Sequence, residues 1–511
     1  MNAGLRWDII EPWSEKNHQL QTYIAGQQSV TFPGAPRGFV VAGDPGVPQT
    51  IAPVSFRNFG PRIGIAYAPS FKEGLGRVLL GRGSRSSLRA SFGIFHTAFP
   101  GISAGIMYAV PPFGFNYLSP APPLFATPFI TAATGVNNGQ RFPFPFPPHN
   151  ASPSNPDNSI DWSNFTPIAA DPFFDHLNLV PYTSNYMLSL QRQITDHLVL
   201  TTSYVGNQGH HILVLVSVNP GNPGLCLKLQ SAGCGPFGED ATYANSSGQI
   251  VRGTRVGQGP DYGENTADRS AANSNYNALE ATLKYERGHS SALLSYTYSK
   301  SIDQGSNLGE QLDPLDPRHS RTISSFDLKH DFVITYAVEL PVQKLLRRPT
   351  RWTSGWNLAG SARFSSGLPV TLSDNSDNSL LGTLGNGANN FLLDTPRYLP
   401  GPLQINRDGR NGKPAFNTAI FPEELLGQLG NAKRRVFYGP GIENFDANLQ
   451  KTFPIHASQS LEFRVEAFNV FNHAQFFGPA AVDGKEQDAN FGHIVSADNP
   501  RQIQLGLRLS F

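Results

Sequence analysis

Charge is scarce in this 511-residue sequence. Asp, Glu, Lys and Arg make up 15% of it, against about 25% in ordinary soluble domains. The two signs nearly cancel, at +1 net, so the basic footprint of a nucleic-acid binder is missing. Only 2 Cys and 3 Met are present. The 13 His are scattered and no Cys-x2-Cys or His-x3-His pair occurs, so no zinc site is supported. No run of 18 apolar residues exists, which excludes a membrane-spanning helix but not a membrane-spanning strand, which needs only about 9–11 residues. The first residues lack the basic and apolar regions of a signal peptide. Leu5, Trp7 and Ile9 already alternate with Arg6 and Asp8. The chain is therefore expected to start inside a fold: either it is cytosolic or its N-terminal part lies elsewhere, and the pattern described next favours the second.

What is abundant points one way. Gly (50), Pro (42) and Phe (35) stand out, and turns with aromatics suit an all-β chain. The dominant period is two. Leu279, Ala281, Leu283 and Tyr285 alternate with Glu280, Thr282, Lys284 and Glu286. The same holds for Ala292 to Tyr298, Phe332 to Leu340, Trp356 to Phe364, Phe445 to Phe453 and Leu461 to Ala467. The cleanest case is the last: Ile503, Leu505, Leu507, Leu509 and Phe511 against Gln504, Gly506, Arg508 and Ser510. Weaker alternation surrounds Ile63, Leu88, Tyr186 and Leu198, for about twelve strands in all. Residues 423–429 are read as at most one helical turn.

Connection lengths separate two all-β readings. Soluble sandwiches impose no rule on loop length. Here long connections, near 11–60, 98–180, 210–271, 303–328, 367–440 and 475–499, alternate with short ones near 71–85, 195–196, 288–289, 341–351 and 455–458. That is the pattern of an outer-membrane barrel, with short inner turns and long outside loops. One face of the strands also carries almost all the charge: Glu280, Lys284, Glu286, Asp331, Glu339, Arg363, Asp446, Glu462, Arg464, Glu466 and Arg508. Arg192 and Lys451 break the rule near short turns, where long side chains can snorkel. Aromatics of the apolar face gather at both strand ends, Tyr186, Tyr298 and Phe364 at one and Tyr285, Phe453 and Phe511 at the other, as in interfacial girdles.

The order of local stretches adds a resemblance. GLRWD at 4–8, FGPRIGIAY at 59–67, RASFGIF at 89–95, NYMLSLQR at 185–192, SYVGNQG at 203–209, NYNAL at 275–279, YTYSKSID at 296–303, FDANLQK at 445–451 and EAFNVFNH at 466–473 follow one another along the chain. Taken in that order, the chain resembles the C-terminal barrel portion of Oar-like TonB-dependent outer-membrane receptors. The ending Leu507, Arg508, Leu509, Ser510, Phe511 resembles the aromatic-terminated strand read by the barrel-assembly machinery, with Leu507, Leu509 and Phe511 as the assembly signal. The resemblance implies a parent with a signal peptide, a small β-domain, a plug and about 22 strands. Neither a plug nor a TonB-contacting segment is read in this chain, so TonB would act through a plug outside it.

Other motifs carry less. Gly101, Ser103 and Gly105 match a nucleophile-elbow pattern, but no strand-to-helix turn surrounds them. Asp374, Asn375, Ser376, Asp377 and Asn378 lack the glycine and terminal Glu of a calcium loop and read as a solvated loop tip. Residues 141–148 (RFPFPFPP) read as polyproline-like, packed against neighbouring loops. Cys226 and Cys234 share one long loop, outside the reducing cytosol, and are expected to pair.

The expectation is an all-β, antiparallel transmembrane β-barrel segment spanning 1–511 as a single domain in the bacterial outer membrane. About twelve strands form part of a larger barrel with long external loops. The function expected is receptor or transporter for an unidentified extracellular ligand; the alternative is a loop-rich adhesin or structural barrel without transport. Expected partners are outer-membrane lipid and the assembly machinery. No enzyme, no cofactor, no metal site and no nucleic-acid partner is expected.

Overall fold

The computed structural model describes residues 1–17, 19–71, 73–81, 85–101, 113, 150–307, 309–347, 350–382, 394–456 and 459–511. Twelve strands form one continuous sheet in chain order, each antiparallel to the next. They are β1 (Asn2–Ile10), β2 (Ser55–Tyr67), β3 (Ser86–His96), β4 (Tyr182–Thr195), β5 (Leu198–Ser217) and β6 (Tyr262–Arg287). They continue with β7 (Ser290–Asp303), β8 (His330–Glu339), β9 (Trp356–Ser365), β10 (Ile442–His456), β11 (Gln459–Phe468) and β12 (Gln502–Ser510). Three short strands attach to this sheet, and two separate two-stranded hairpins sit in the connections. Among the described residues no helix is long and apolar enough to cross a membrane.

The register explains why the sheet has two unlike faces. Side chains alternate with period two, so a one-residue slip would turn a strand inside out. Trp7 stands opposite Phe59, and Ile63 opposite Phe92. Phe92 faces Tyr186, Leu188 faces Tyr204, and Tyr204 faces Leu279. The line continues through Leu279 and Tyr298, Tyr296 and Phe332, and Phe332 and Phe364. It ends through Leu358 and Leu449, Leu449 and Val465, and Val465 and Leu505. Every strand keeps one apolar face on one side of the sheet. Rings on it touch: Phe364 lies 5.3 Å from Phe445, and Phe445 5.0 Å from Phe471. The other face pairs its charges. Arg363 meets Asp331 at 2.9 Å, and Arg464 bridges Glu462 at 2.5 Å and Glu466 at 3.4 Å.

Among the described residues no second sheet covers the apolar face. Leu505 and Leu507 are 67% and 71% exposed. In a soluble sandwich these are the residues that would form the core. The buried apolar residues lie instead in the long connections and the strand extensions beneath them. One cluster joins Phe32, Phe39, Trp162, Ile168 and Phe173; another joins Leu372, Phe416, Phe421, Phe437 and Val482. Among the described residues, β1 pairs only with β2 and β12 only with β11, so the sheet is open.

Several sequence expectations need correction. β5 and β6 run 20 and 26 residues, so the connection between them is 218–261 rather than 210–271. Their upper halves lack alternation, β5 ending in the apolar run Ile212 to Val216 and β6 beginning in a polar stretch, but they still pair, Thr266 with Ser217 and Ser270 with Leu213, through bulges near Ala272. β2 starts at Ser55, shortening the first connection to 11–54. Residues 423–429 hold no helix: the Gln428 amide donates to the Leu425 carbonyl at 2.9 Å, closing a turn in which Gly427 takes φ +79°. Lys451 does not reach water. Its ammonium donates to the carbonyls of Arg351 at 2.8 Å, Ser354 and Thr452 at 3.2 Å, and lies 4.3 Å from the Phe453 ring centre. The short connection 340–355 supplies the acceptors that snorkelling would have sought in solvent. Most of the Gly101–Gly105 motif and the 141–148 stretch lie outside the described residues.

Candidate functional site

Antiparallel order sends successive connections to opposite ends of the sheet. The long ones, 11–54, 97–181, 218–261, 304–329, 366–441 and 469–501, therefore share one end. They interlock there. The Thr22 hydroxyl donates to the Phe174 carbonyl at 2.6 Å, and the Gly221 amide to the Leu381 carbonyl at 2.7 Å. The Ser373 amide donates to the Gly484 carbonyl at 3.0 Å, and the Lys433 ammonium to the His319 carbonyl at 2.7 Å.

The strongest tie is ionic. Arg434 and Arg435, from 366–441, converge on Glu310 of 304–329 at 3.1 and 2.5 Å, all three buried. Arg435 also donates to the Ile323 carbonyl at 2.7 Å. Such a cluster costs desolvation, and keeps its place only because every charge is partnered. Nothing in the strand pattern marked these residues. The basic run Lys433, Arg434, Arg435 in a charge-poor sequence is the one signal that could have found them.

Cys226 and Cys234 are bonded to each other, with 5.4 Å between their Cα atoms. The ring they close is buried against Leu229, Tyr243 and Leu380, so it anchors 218–261 onto 366–441. The expectation of a solvated tip at 374–378 is overturned. Asp374 and Asp377 are fully buried, held by residues of neighbouring connections: the Phe237 amide donates to Asp377 at 2.7 Å, and Gln487 donates to Asp374.

Several cavities open in this assembly among the described residues. Of two of these, the larger, about 600 Å³, lies where 366–441 leaves β9 and enters β10, and is lined by Lys329, His330, Arg407, Arg410, Glu443 and His473 among others. Arg410 is engaged by Asp408 at 2.8 Å. The smaller, about 460 Å³, is lined by Glu239, Asp240, Arg252, Arg255 and Tyr262. Both clefts carry charged side chains of both signs, which suits a hydrophilic ligand rather than a lipid tail. Sequence reasoning named none of these lining residues, because they come from four or more separate stretches.

Leu507 and Leu509 sit on the apolar face of the edge strand β12, with Phe511 just beyond it. They lie far from this assembly in the fold: Leu509 pairs with Leu461 beside the short 457–458 connection.

The model of a family described as "Outer membrane beta barrel domain" matches residues 1–504. The chain belongs to that family. A member of the outer membrane β-barrel domain family resides in the bacterial outer membrane, and this sheet with one bare apolar face is the wall such a domain requires. No curated protein matches the sequence. Among solved structures, the chain is similar to the Escherichia coli outer membrane transporter YddB at 8% identity and TM-score 0.41, covering 89% of this chain and 41% of that one. The siderophore receptor PirA of Acinetobacter baumannii gives 10% identity and TM-score 0.39, with 89% and 41% covered. The ferripyoverdine receptor of Pseudomonas aeruginosa gives 10% and 0.37, with 90% and 34% covered. The chain thus spans well under half the length of these proteins.

Proposed function

We propose that this outer-membrane β-barrel domain is the wall and outer loop assembly of a TonB-dependent receptor that takes up a hydrophilic extracellular ligand. The apolar face meets lipid, the charged face lines the interior, and the interlocked connections form the outer ligand-binding surface. The observation that carries the reading is the division of labour between wall and loops. The wall has almost no buried apolar core, whereas the long connections have cores of their own and enclose two clefts lined by charged side chains. A barrel that only spans a membrane has no need of a packed superstructure on one end. The Oar-like resemblance supports the receptor class, and the ligand is left open.

The test compares solute depletion from spent medium, by mass spectrometry, in the parent strain, a strain lacking this protein and a strain lacking TonB. The receptor reading expects at least one solute whose removal is lost in both deletions. A deletion that leaves the medium profile unchanged but abolishes surface attachment supports the adhesin instead.

A further inference from the structure

Five carboxyl groups are buried together where the long connections meet. Asp374, Asp377, Asp394 and Glu424 come from 366–441, and Glu239 comes from 218–261. They form two side-chain pairs, Asp374 with Glu424 and Glu239 with Asp377, and Asp394 lies near Asp374 and Asp377. Donors reach only some of the oxygens. Asp374 Oδ1 accepts from the Ser376 amide at 2.9 Å and from Gln487; Glu424 Oε1 accepts from the Ser376 hydroxyl at 3.1 Å. Asp377 accepts from the Phe237 and Gly382 amides at 2.7 and 2.9 Å, and Asp394 Oδ2 from the Ser379 hydroxyl at 2.7 Å. Asp374 Oδ2, Glu424 Oε2, Asp394 Oδ1 and Glu239 Oε1 are buried without a donor among the described residues.

Positive charge is short here. Arg255 faces Glu239, but its guanidinium is engaged by Asp240 at 2.8 Å and by the carbonyls of Asn219, Leu381 and Gly382. On the next connection, His319 is taken by Asp313 at 3.3 Å. Glu486 and Glu423 add further negative charge beside Asp374. Residues 383–393, which lead into Asp394, contain no ionisable side chain. Among the described residues no three acidic, His or Cys groups converge as metal ligands. Two carboxylates in contact away from water cannot both stay ionised, so one of each pair keeps a proton and donates it to the other.

We propose that these shared protons are a latch, holding 366–441 folded and closed onto 218–261 in acid and releasing it progressively as pH rises into alkali. Burial and the neighbouring carboxylates push Glu424 up to about 10 and Glu239 and Asp394 up to about 8, while the hydrogen bonds it accepts hold Asp374 below the usual range. The sign follows. A docked group with a raised pKa contributes its full share below its undocked value, 4.5 for Glu and 3.8 for Asp, and loses that share as pH rises towards the docked value. The closed state is favoured in acid, and its loss becomes complete between about pH 8 and 10. The latch is independent of which ligand the clefts hold.

The experiment digests outer membranes carrying the full protein with proteinase K from pH 6 to 9.5, with and without EDTA. Cleavage within 218–261 and 366–441 is read by mass spectrometry and normalised to an exposed tag. Normalised cleavage should rise about tenfold or more across that range, roughly one decade per unit of pKa difference left uncompensated. Glu424→Gln and Glu239→Gln replace the shared proton with a permanent N–H donor, so each should flatten the rise while keeping cleavage low at pH 9.5. Wild-type cleavage that does not change with pH, or glutamine variants that keep the full pH dependence, would overturn the latch. So would cleavage governed by EDTA at constant pH, which would mean that a divalent cation neutralises the cluster. Should one variant fail to reach the membrane, the other, on a different connection, still decides.

Discussion

Charged side chains in this molecule differ in weight according to where they stand. Arg464 between Glu462 and Glu466 lines the charged face, more than a third exposed. Solvent screens such a pair to about 0–1 kcal/mol, and Arg464→Ala should lower stability by no more than that. Arg435 is wholly buried on Glu310. Removing Glu310 leaves Arg434 and Arg435 buried without their carboxylate, so Glu310→Ala should cost about 3–5 kcal/mol. Denaturant unfolding in detergent, comparing both variants with the wild type, checks the contrast; equal effects would contradict it. The Cys226–Cys234 bond belongs to the same scale. Blocking without reductant should label neither sulfur, and a Cys226→Ser, Cys234→Ser double variant should lose about 2–3 kcal/mol of loop stability in the chain-entropy account.

At the level of the strand, the period of two decides what each position tolerates. Val465 lies opposite both Leu449 and Leu505 near the middle of β11. Val465→Arg puts a charge into the lipid-facing line at a cost of about 2–4 kcal/mol near the midplane. Gln450, across from Arg464, points to the other face, and Gln450→Arg should be tolerated. Quantifying each variant in outer-membrane fractions checks this; equal loss of both would mean the faces are misassigned. Strand β12 has a further role. Its outer edge is unpaired among the described residues and its apolar face is bare to Phe511. An edge of this kind must be paired to be stable in lipid. Deleting Phe511 should lower the amount of protein in the outer membrane without reducing its synthesis, measured by pulse labelling and fractionation. Period and connection length made these strands legible in the sequence. The upper halves of β5 and β6 were not, because the stretch from 262 to 274, rich in Asn, Ser and Ala, owes its pairing to partners rather than to alternation.

For the whole molecule the decisive feature is how the sheet closes. The sheet of twelve strands ends in two bare edges, with Leu5, Trp7 and Ile9 on β1 and Ile503, Leu505 and Leu507 on β12 all more than half exposed. Under the larger-barrel reading, further strands stand between these edges. Cysteines introduced in pairs at Trp7 and Leu507, or Leu5 and Leu509, should then give no cross-link in outer membranes carrying the protein, read on non-reducing gels. A cross-link in good yield would show that twelve strands close on themselves, since Cα atoms must come within about 7 Å for a disulfide.

The sequence by itself determined the wall. Which residues face which side, and which end of the sheet carries the long connections, follow from relations between neighbours two positions apart and from the spacing of strands. Those relations are local, and strand geometry enforces them whatever the rest of the chain does. The tertiary structure alone decided the loop assembly. It buried Asp374 and Asp377, which read as a solvated tip, and it brought Arg435 to Glu310 across 125 positions. It also joined Glu239 to Asp377. Contacts between irregular segments so far apart have no period to betray them. Their partners are chosen by how the connections pack once the wall has fixed where each begins and ends.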